Sequence, residues 1–292
     1  MPNTLAHIGF QVPFTRLGVV KEAPLQWIAL GCIIPDIPWI LQRVLERVPT
    51  IDPVTLRLYA VFQASLFSCA VLSLFFALLT RKTAFIFLLL VGNCLLHLLL
   101  DACQIKWGNG VNLFLPFSWH VTGFAFFWPE DFPSYLLTAL GVPVLVFSWK
   151  KAVKADLFLQ KPNTKKAACL ACLLLVYFLT PLFFINGAYD ADMHYSQTIS
   201  DKQTRTGKTV EIDRARYNSQ TQILAAYADK NIHLTTPPPV KGGKLSVKGV
   251  FTGADSLTIT EYHRHNSFRD YASYVGLFST LFLFIFAGYA RK

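Results

Sequence analysis

At 292 residues the chain has room for one large or two modest domains, and at 53% hydrophobic and 14% aromatic it is too apolar for an ordinary soluble domain. The formal charge of +10 does not mark a nucleic-acid surface, because the excess flanks apolar runs: six lysines stand against one aspartate within residues 150–166, and Arg81, Lys82, Arg291 and Lys292 adjoin others. That distribution is what the positive-inside rule produces, and it excludes a phosphate-backbone-binding stripe as the leading reading.

The first residues have neither a basic start nor an apolar core with a small-residue cleavage site, so no secretory signal is expected. His7 lies in a short mixed segment. Residues 25–45 form an apolar stretch interrupted by Pro35-Asp36-Ile37-Pro38. A carboxylate between two prolines breaks the helix where a charge must be accommodated, and Asp36 is either a site residue or a cap for the turn restarting at Trp39.

Spans are predicted at residues 54–79, 85–103, 135–149, 167–185 and 274–289. The basic residues at 81–82, 150–166 and 291–292 place their loops on the cytoplasmic side, so the 97–101 end and residues 188–270 face outward. At that end, His97 and Asp101 share one helix face a single turn apart. This is a metal-ligand spacing, and equally that of a histidine hydrogen-bonded to its own carboxylate neighbour. Lys106 either helps hold an anionic phosphate or is solvated at the interface.

The six cysteines all sit in or beside apolar runs, where thiols behave as small hydrophobes. Cys169 and Cys172 have a C-x-x-C spacing but no second pair, so no redox or zinc role is expected of them.

Residues 188–270 are polar, with eleven basic against nine acidic residues, and show no strong preference for an anionic partner. Residues 208–216, 245–251 and 256–263 read as strands, 220–229 as a short helix and 235–243, with three consecutive prolines, as a loop. His263 and His265 share a strand face but, beside Arg264, are read as solvated and outside the site.

These elements predict an α-helical integral membrane protein with about five to six membrane helices and a small β-rich extramembrane domain before the last helix. Residues 1–187 form the membrane-embedded part, 188–270 the extramembrane domain and 271–292 a C-terminal transmembrane helix.

His7, Pro35-Asp36, His97-x-x-x-Asp101 and Gly110-Val111-x-Leu113-x-x-Pro116 together resemble the YdjM-like family of bacterial inner-membrane proteins, described as LexA-regulated, membrane-bound metal-dependent hydrolases. The resemblance covers about residues 1–120. Family members carry an early histidine, a Pro-Asp-x-Asp element, a His-Arg-x-x-x-His-Ser element and a His-x-x-x-Asp near a helix end. Here Pro38 replaces the second aspartate, and the third element is missing: where it would align, residues 59–67, only Gln63 and Ser65 are polar side chains of note.

The resemblance implies a divalent ion, zinc being favoured on ligand type, held by His7, Asp36, His97 and Asp101. It also implies hydrolysis of an ester or phosphoester, with a membrane lipid or lipid-linked molecule as substrate and Asp36 and His120 as candidate acid–base groups. His120 is alternatively an interfacial residue beside Trp119. The competing reading is a non-catalytic membrane protein whose His/Asp cluster is structural and whose outer domain binds a partner. A transporter is less favoured, since the halves do not repeat.

Overall fold

The protein, seen in a computed structural model, is described over residues 3–17, 20 and 22–289. Asn3 starts the first helix, α1 (Thr4–Leu17): its Oδ1 accepts from the Ala6 amide, and its Nδ2 donates to Thr138 Oγ1 at 2.7 Å. The next apolar stretch breaks at its prolines. Helix α2 (Leu25–Ile33) tightens into a 3₁₀ turn over Ile34–Asp36 and restarts as α3 (Ile37–Leu45).

The expected span 54–79 is two helices, α4 (Pro53–Gln63) and α5 (Leu66–Leu78), bent by 66° across Ala64 and Ser65. Ser65 makes the restart, its Oγ accepting from the Ser68 amide at 3.3 Å. Then follow α6 (Thr83–Ala102), α7 (Phe132–Lys154) and α8 (Thr164–Leu179). The expected span 135–149 is thus longer than its sequence suggested, a 23-residue helix that keeps Pro143 inside. Among the described residues, Leu25–Leu45, Thr83–Ala102, Phe132–Lys154 and Thr164–Phe183 are long and apolar enough to cross a membrane, and the bent α4–α5 pair makes a fifth.

α1 packs on α7 at two glycines. A Cβ on Gly9 would strike the Leu137 carbonyl and one on Gly141 the Leu5 carbonyl, so only glycine allows the two backbones to touch. At 20 residues, α6 is about 30 Å long. It begins beside Arg81, which pairs with Asp156 at 2.6 Å, and the Thr80–Leu159 bridge ties the same two loops. It ends at the loop that carries Lys106 and Asn112. Arg291 and Lys292 lie outside the described residues.

Two short helices, α9 (Ile185–Asp190) and α10 (Ser196–Ser200), lead into five strands: β1 (Thr209–Asn218), β2 (Ile223–Ala225), β3 (Ile232–Leu234), β4 (Gly243–Phe251) and β5 (Ser256–His265). They close a barrel in the order β1-β2-β3-β5-β4, with β3 and β5 parallel and the other pairs antiparallel. Val210, Ile212, Tyr217, Leu224, Leu234, Val247, Phe251 and Leu257 fill it. The helix expected at 220–229 is not present. Gln222 takes a positive φ of 55° and residues 223–225 pair with both β1 and β3, because burying Leu224 in the barrel outweighs helix propensity.

The chain returns through α11 (Phe268–Tyr289), on which the last expected span, 274–289, falls; the described part of this helix is not among those long and apolar enough to cross a membrane. The barrel is seated on the loop after α6: Gly108 N donates to Glu211 Oε2 at 2.9 Å and Asn109 Nδ2 to Asp213 Oδ2 at 3.2 Å. A bulge in β1 between Ile212 and Ala215 turns Asp213 and Arg214 toward this seam.

Candidate metal centre

Three separate elements deliver one cluster. His7 comes from the first turns of α1, Asp36 from the break between α2 and α3, and His97 and Asp101 from successive turns of α6. The two imidazole rings stack face to face, centroids 3.7 Å apart and planes within 1°. His7 Nε2 lies 3.5 Å from Asp101 Oδ1; His97 Nε2 lies 3.6 Å from Asp36 Oδ1 and 3.9 Å from Asp101 Oδ2. Ligands of one tetrahedral ion stand about 3–4 Å apart.

The sequence explains why His97 points there. Pro35 has no N–H, and the tightening into a 3₁₀ turn leaves carbonyls of the last turn of α2 to other donors. The Cys94 thiol takes Gly31 O, and His97 Nδ1 takes Cys32 O at 2.7 Å. A carbonyl only accepts, so His97 Nδ1 carries the proton, and a neutral His97 presents a lone pair at Nε2. That lone pair faces two carboxylates at distances too long for hydrogen bonds.

His7 Nε2, His97 Nε2, Asp36 Oδ1 and Asp101 Oδ1 are all buried without a hydrogen-bond partner. Ligand atoms of His7, His97 and Asp101, one from each, lie within 4.8 Å of one another, a buried group able to hold a divalent ion, and Asp36 stands beside it against His97. Gln11 Oε1 accepts from the Cys32 thiol at 3.1 Å, so Gln11 Nε2 donates to His7 Nδ1 at 3.1 Å and the proton of a neutral His7 lies on Nε2, facing Asp101; an ion at Nε2 requires the Gln11 amide to turn over. Asp36 heads α3 yet makes no capping hydrogen bond, which removes the capping role considered for it.

Lys106 is not solvated: its side chain is 7% exposed and its Nζ lies 3.0 Å from Asp101 Oδ2. A cavity of about 20 Å³, room for one water, adjoins Asp101 between Pro35, Trp39, Val61, Ala64 and Asn112. The segment aligned with the missing element therefore forms a wall of the site, but an apolar one. Its polar members are engaged elsewhere: Gln63 Nε2 donates to the Tyr177 carbonyl at 3.3 Å, and Ser65 caps α5. His120 is exposed in the loop and makes no ion pair with the cluster among the described residues.

A second imidazole–carboxylate group lies at the barrel seam, and the sequence reading of His263 and His265 as solvated does not hold. His263 Nε2 is 3.3 Å from Glu130 Oε2, and His265 Nδ1 is 3.0 Å from Glu130 Oε1. Trp128 stacks on His263 at 3.7 Å, and His265 is buried. Here each ligand atom has a partner. Ser246 Oγ donates to Asp213 and so accepts from His265 Nε2 at 2.8 Å, while His265 Nδ1 accepts at 3.1 Å from Arg214 Nη1, which also reaches Glu130 Oε1 at 3.5 Å. None of the trio's ligand atoms is a buried orphan. Burial alone would raise the Glu130 carboxyl, but the two histidines and Arg214 hold it below the usual range; burial, with Arg214, lowers His265. Only the His-x-His pattern signalled this group, since Glu130 is 133 residues from His263.

Comparison of the chain with family models, with curated proteins and with solved structures returns no match.

Proposed function

We propose that the protein is a membrane-embedded hydrolase of ester or phosphoester bonds, dependent on one divalent ion held by His7, His97 and Asp101, with Asp36 beside it as the base. The observation that carries this reading is the buried, mutually close group of His7, His97 and Asp101, whose Nε2 and Oδ1 atoms have no hydrogen-bond partner. The resemblance to YdjM-like hydrolases agrees with it, and the lost second aspartate and histidine element limit the site to a single ion. Zinc suits two imidazoles and a carboxylate.

A divalent ion there supplies Lewis acidity and lowers the pKa of a neighbouring water. The residues do the rest. Cys32 O and Gln11 orient the imidazoles, and Lys106 pins Asp101 by one oxygen, leaving the other for binding. Asp36, at 14% exposure the most open of the four side chains, accepts the proton of the attacking water. The cavity beside Asp101 has the size for that water.

The barrel is placed on the non-cytoplasmic face in this reading, since α6 separates it from the basic loops at the other helix end. Single cysteines at Thr206 and Lys161 should label from opposite sides of a vesicle.

The structural alternative has one observation in its favour: the Lys106 ammonium already neutralises part of Asp101. The test is elemental analysis of the purified protein, followed by hydrolysis of chromogenic phosphoester and carboxylic ester substrates before and after chelation. Stoichiometric metal with chelator-sensitive turnover is expected. Metal without turnover on either class would leave a structural ion, and no metal would end the hydrolase reading and leave a buried, hydrogen-bonded His/Asp cluster in a non-catalytic protein.

A further inference from the structure

Above the Asp101 cavity is a cation that lacks an anion. Arg57 lies on α4 one turn before Val61, which lines the cavity, and is half-buried with its Nε unsatisfied. Its guanidinium carbon stands 5.7 Å from the Trp39 ring centre and 4.3 Å from that of Tyr227, and no carboxylate pairs with it among the described residues. A half-buried guanidinium with an unsatisfied Nε and no counter-charge keeps its capacity to pair with an anion.

Its neighbour fixes a second donor. Arg57 Nη2 lies 3.4 Å from His194 Nδ1, and since arginine only donates, that nitrogen must accept. His194 is buried, and burial together with Arg57 holds it well below the ordinary histidine range, so it is neutral with its proton on Nε2. That proton needs an acceptor, and the Asn112 amide stands 3.3 Å away with its Oδ1 otherwise unpartnered. Oxygen and nitrogen of an amide are told apart by their partners, so Oδ1 belongs toward His194 and the NH₂ toward the cavity. The backbone holding His194 is itself strained, with positive φ at Asp192, His194 and Tyr195, as segments kept for a site often are.

We propose that Arg57 and Asn112 form an anion-recognition site at the outer end of this cavity, and that they bind the phosphate group of the substrate. The proposal rests on the hydrolase reading for its meaning but not for its test. The space beside Asp101 admits only a water, so the phosphate meets the Arg57 guanidinium, which Trp39 and Tyr227 flank, directly and reaches Asn112 through a water in that space. Two sources offer that group, a soluble phosphate ester and a lipid headgroup. The loop that carries Asn112 also exposes Phe114 and Phe117, at 55% and 88%, an arrangement suited to the bilayer interface.

The test uses the full-length protein in detergent, with thermal stability read against inorganic phosphate, against micelles doped with phosphatidic acid, and against phosphatidylcholine micelles alone. Saturable stabilisation by inorganic phosphate or by phosphatidic acid is expected, and which of the two is stronger identifies the source. Arg57→Gln should weaken the apparent affinity at least about tenfold while metal content is unchanged. Should Arg57→Gln fail to fold, Asn112→Asp serves instead: it keeps the acceptor for His194, puts a negative oxygen where the NH₂ was, and should abolish the effect. The effect should also survive chelation, so that failure of the metal reading and failure of this one are separable. No stabilisation of the wild type, an undiminished response in Arg57→Gln or Asn112→Asp, or a response lost on chelation would overturn the proposal.

Discussion

The quartet of His7, Asp36, His97 and Asp101 and the trio of Glu130, His263 and His265 use the same chemistry to different ends. Both stack an imidazole on a flat ring 3.7 Å away, and both bring carboxylate oxygens within 4 Å of ring nitrogens. In the trio, no ligand atom of Glu130, His263 or His265 is left without a hydrogen-bond partner, and the group fastens the barrel to the loop before α7. In the quartet, four atoms face inward with nothing to bond. Proximity of histidine and carboxylate thus says little; what distinguishes a metal centre is polar valence the protein itself leaves unused.

The largest effect expected from breaking that contrast is at Asp101. Asp101→Ala should abolish metal binding and lower stability by about 3–5 kcal/mol, because it also strands the buried Lys106 ammonium. Elemental analysis and denaturant melts would read both, and metal retained at full stoichiometry would show that the quartet is not the site.

Glu130→Gln should leave metal content untouched and cost about 1–3 kcal/mol, through loss of charge-assisted bonds from His263 and Arg214. If it were Glu130→Gln that emptied the protein of metal, the two clusters would have to exchange roles.

Acid should then act on the trio in a defined order. His265 has a lowered pKa in the folded protein, so its contribution is complete above about 6.5, the ordinary value, and is lost as pH falls toward the depressed one. Glu130, also lowered, adds a second loss beginning near its ordinary 4.5. Trp128, stacked on His263, offers a fluorescence signal for the loosening seam. In His265→Gln the first phase should be absent, and its persistence would place the titrating group elsewhere.

Smallest is Gln63→Ala, at the position of the missing family element. It should cost about 1 kcal/mol through the Tyr177 carbonyl bond and leave metal content unchanged.

The quartet could be read in the sequence because polar residues are conspicuous in apolar runs and because one helix turn fixes the His97–Asp101 spacing. The three outer strands were legible from alternation, whereas 220–229 misled: Gln-Thr-Gln-Ile-Leu-Ala-Ala-Tyr suits a helix, and only closure of the barrel selects a strand there. Arg57, Asn112 and His194 carried no local signal. They meet only because α4, the loop after α6 and the turn before α10 converge, with 137 residues separating Arg57 from His194.

The glycine-mediated seating of α1 has a consequence for how the site is completed during synthesis. His7 precedes the other members of the cluster in the chain, yet its helix is clasped by α7 through Gly9 and Gly141 and by α11, where Gly276 lies against Thr4 and Leu5. His7 therefore reaches its final position only after α11 has emerged. On the metal reading, ion capture would wait for α11 rather than for α6, and a nascent protein halted within the barrel would hold Asp36, His97 and Asp101 without a firmly seated His7.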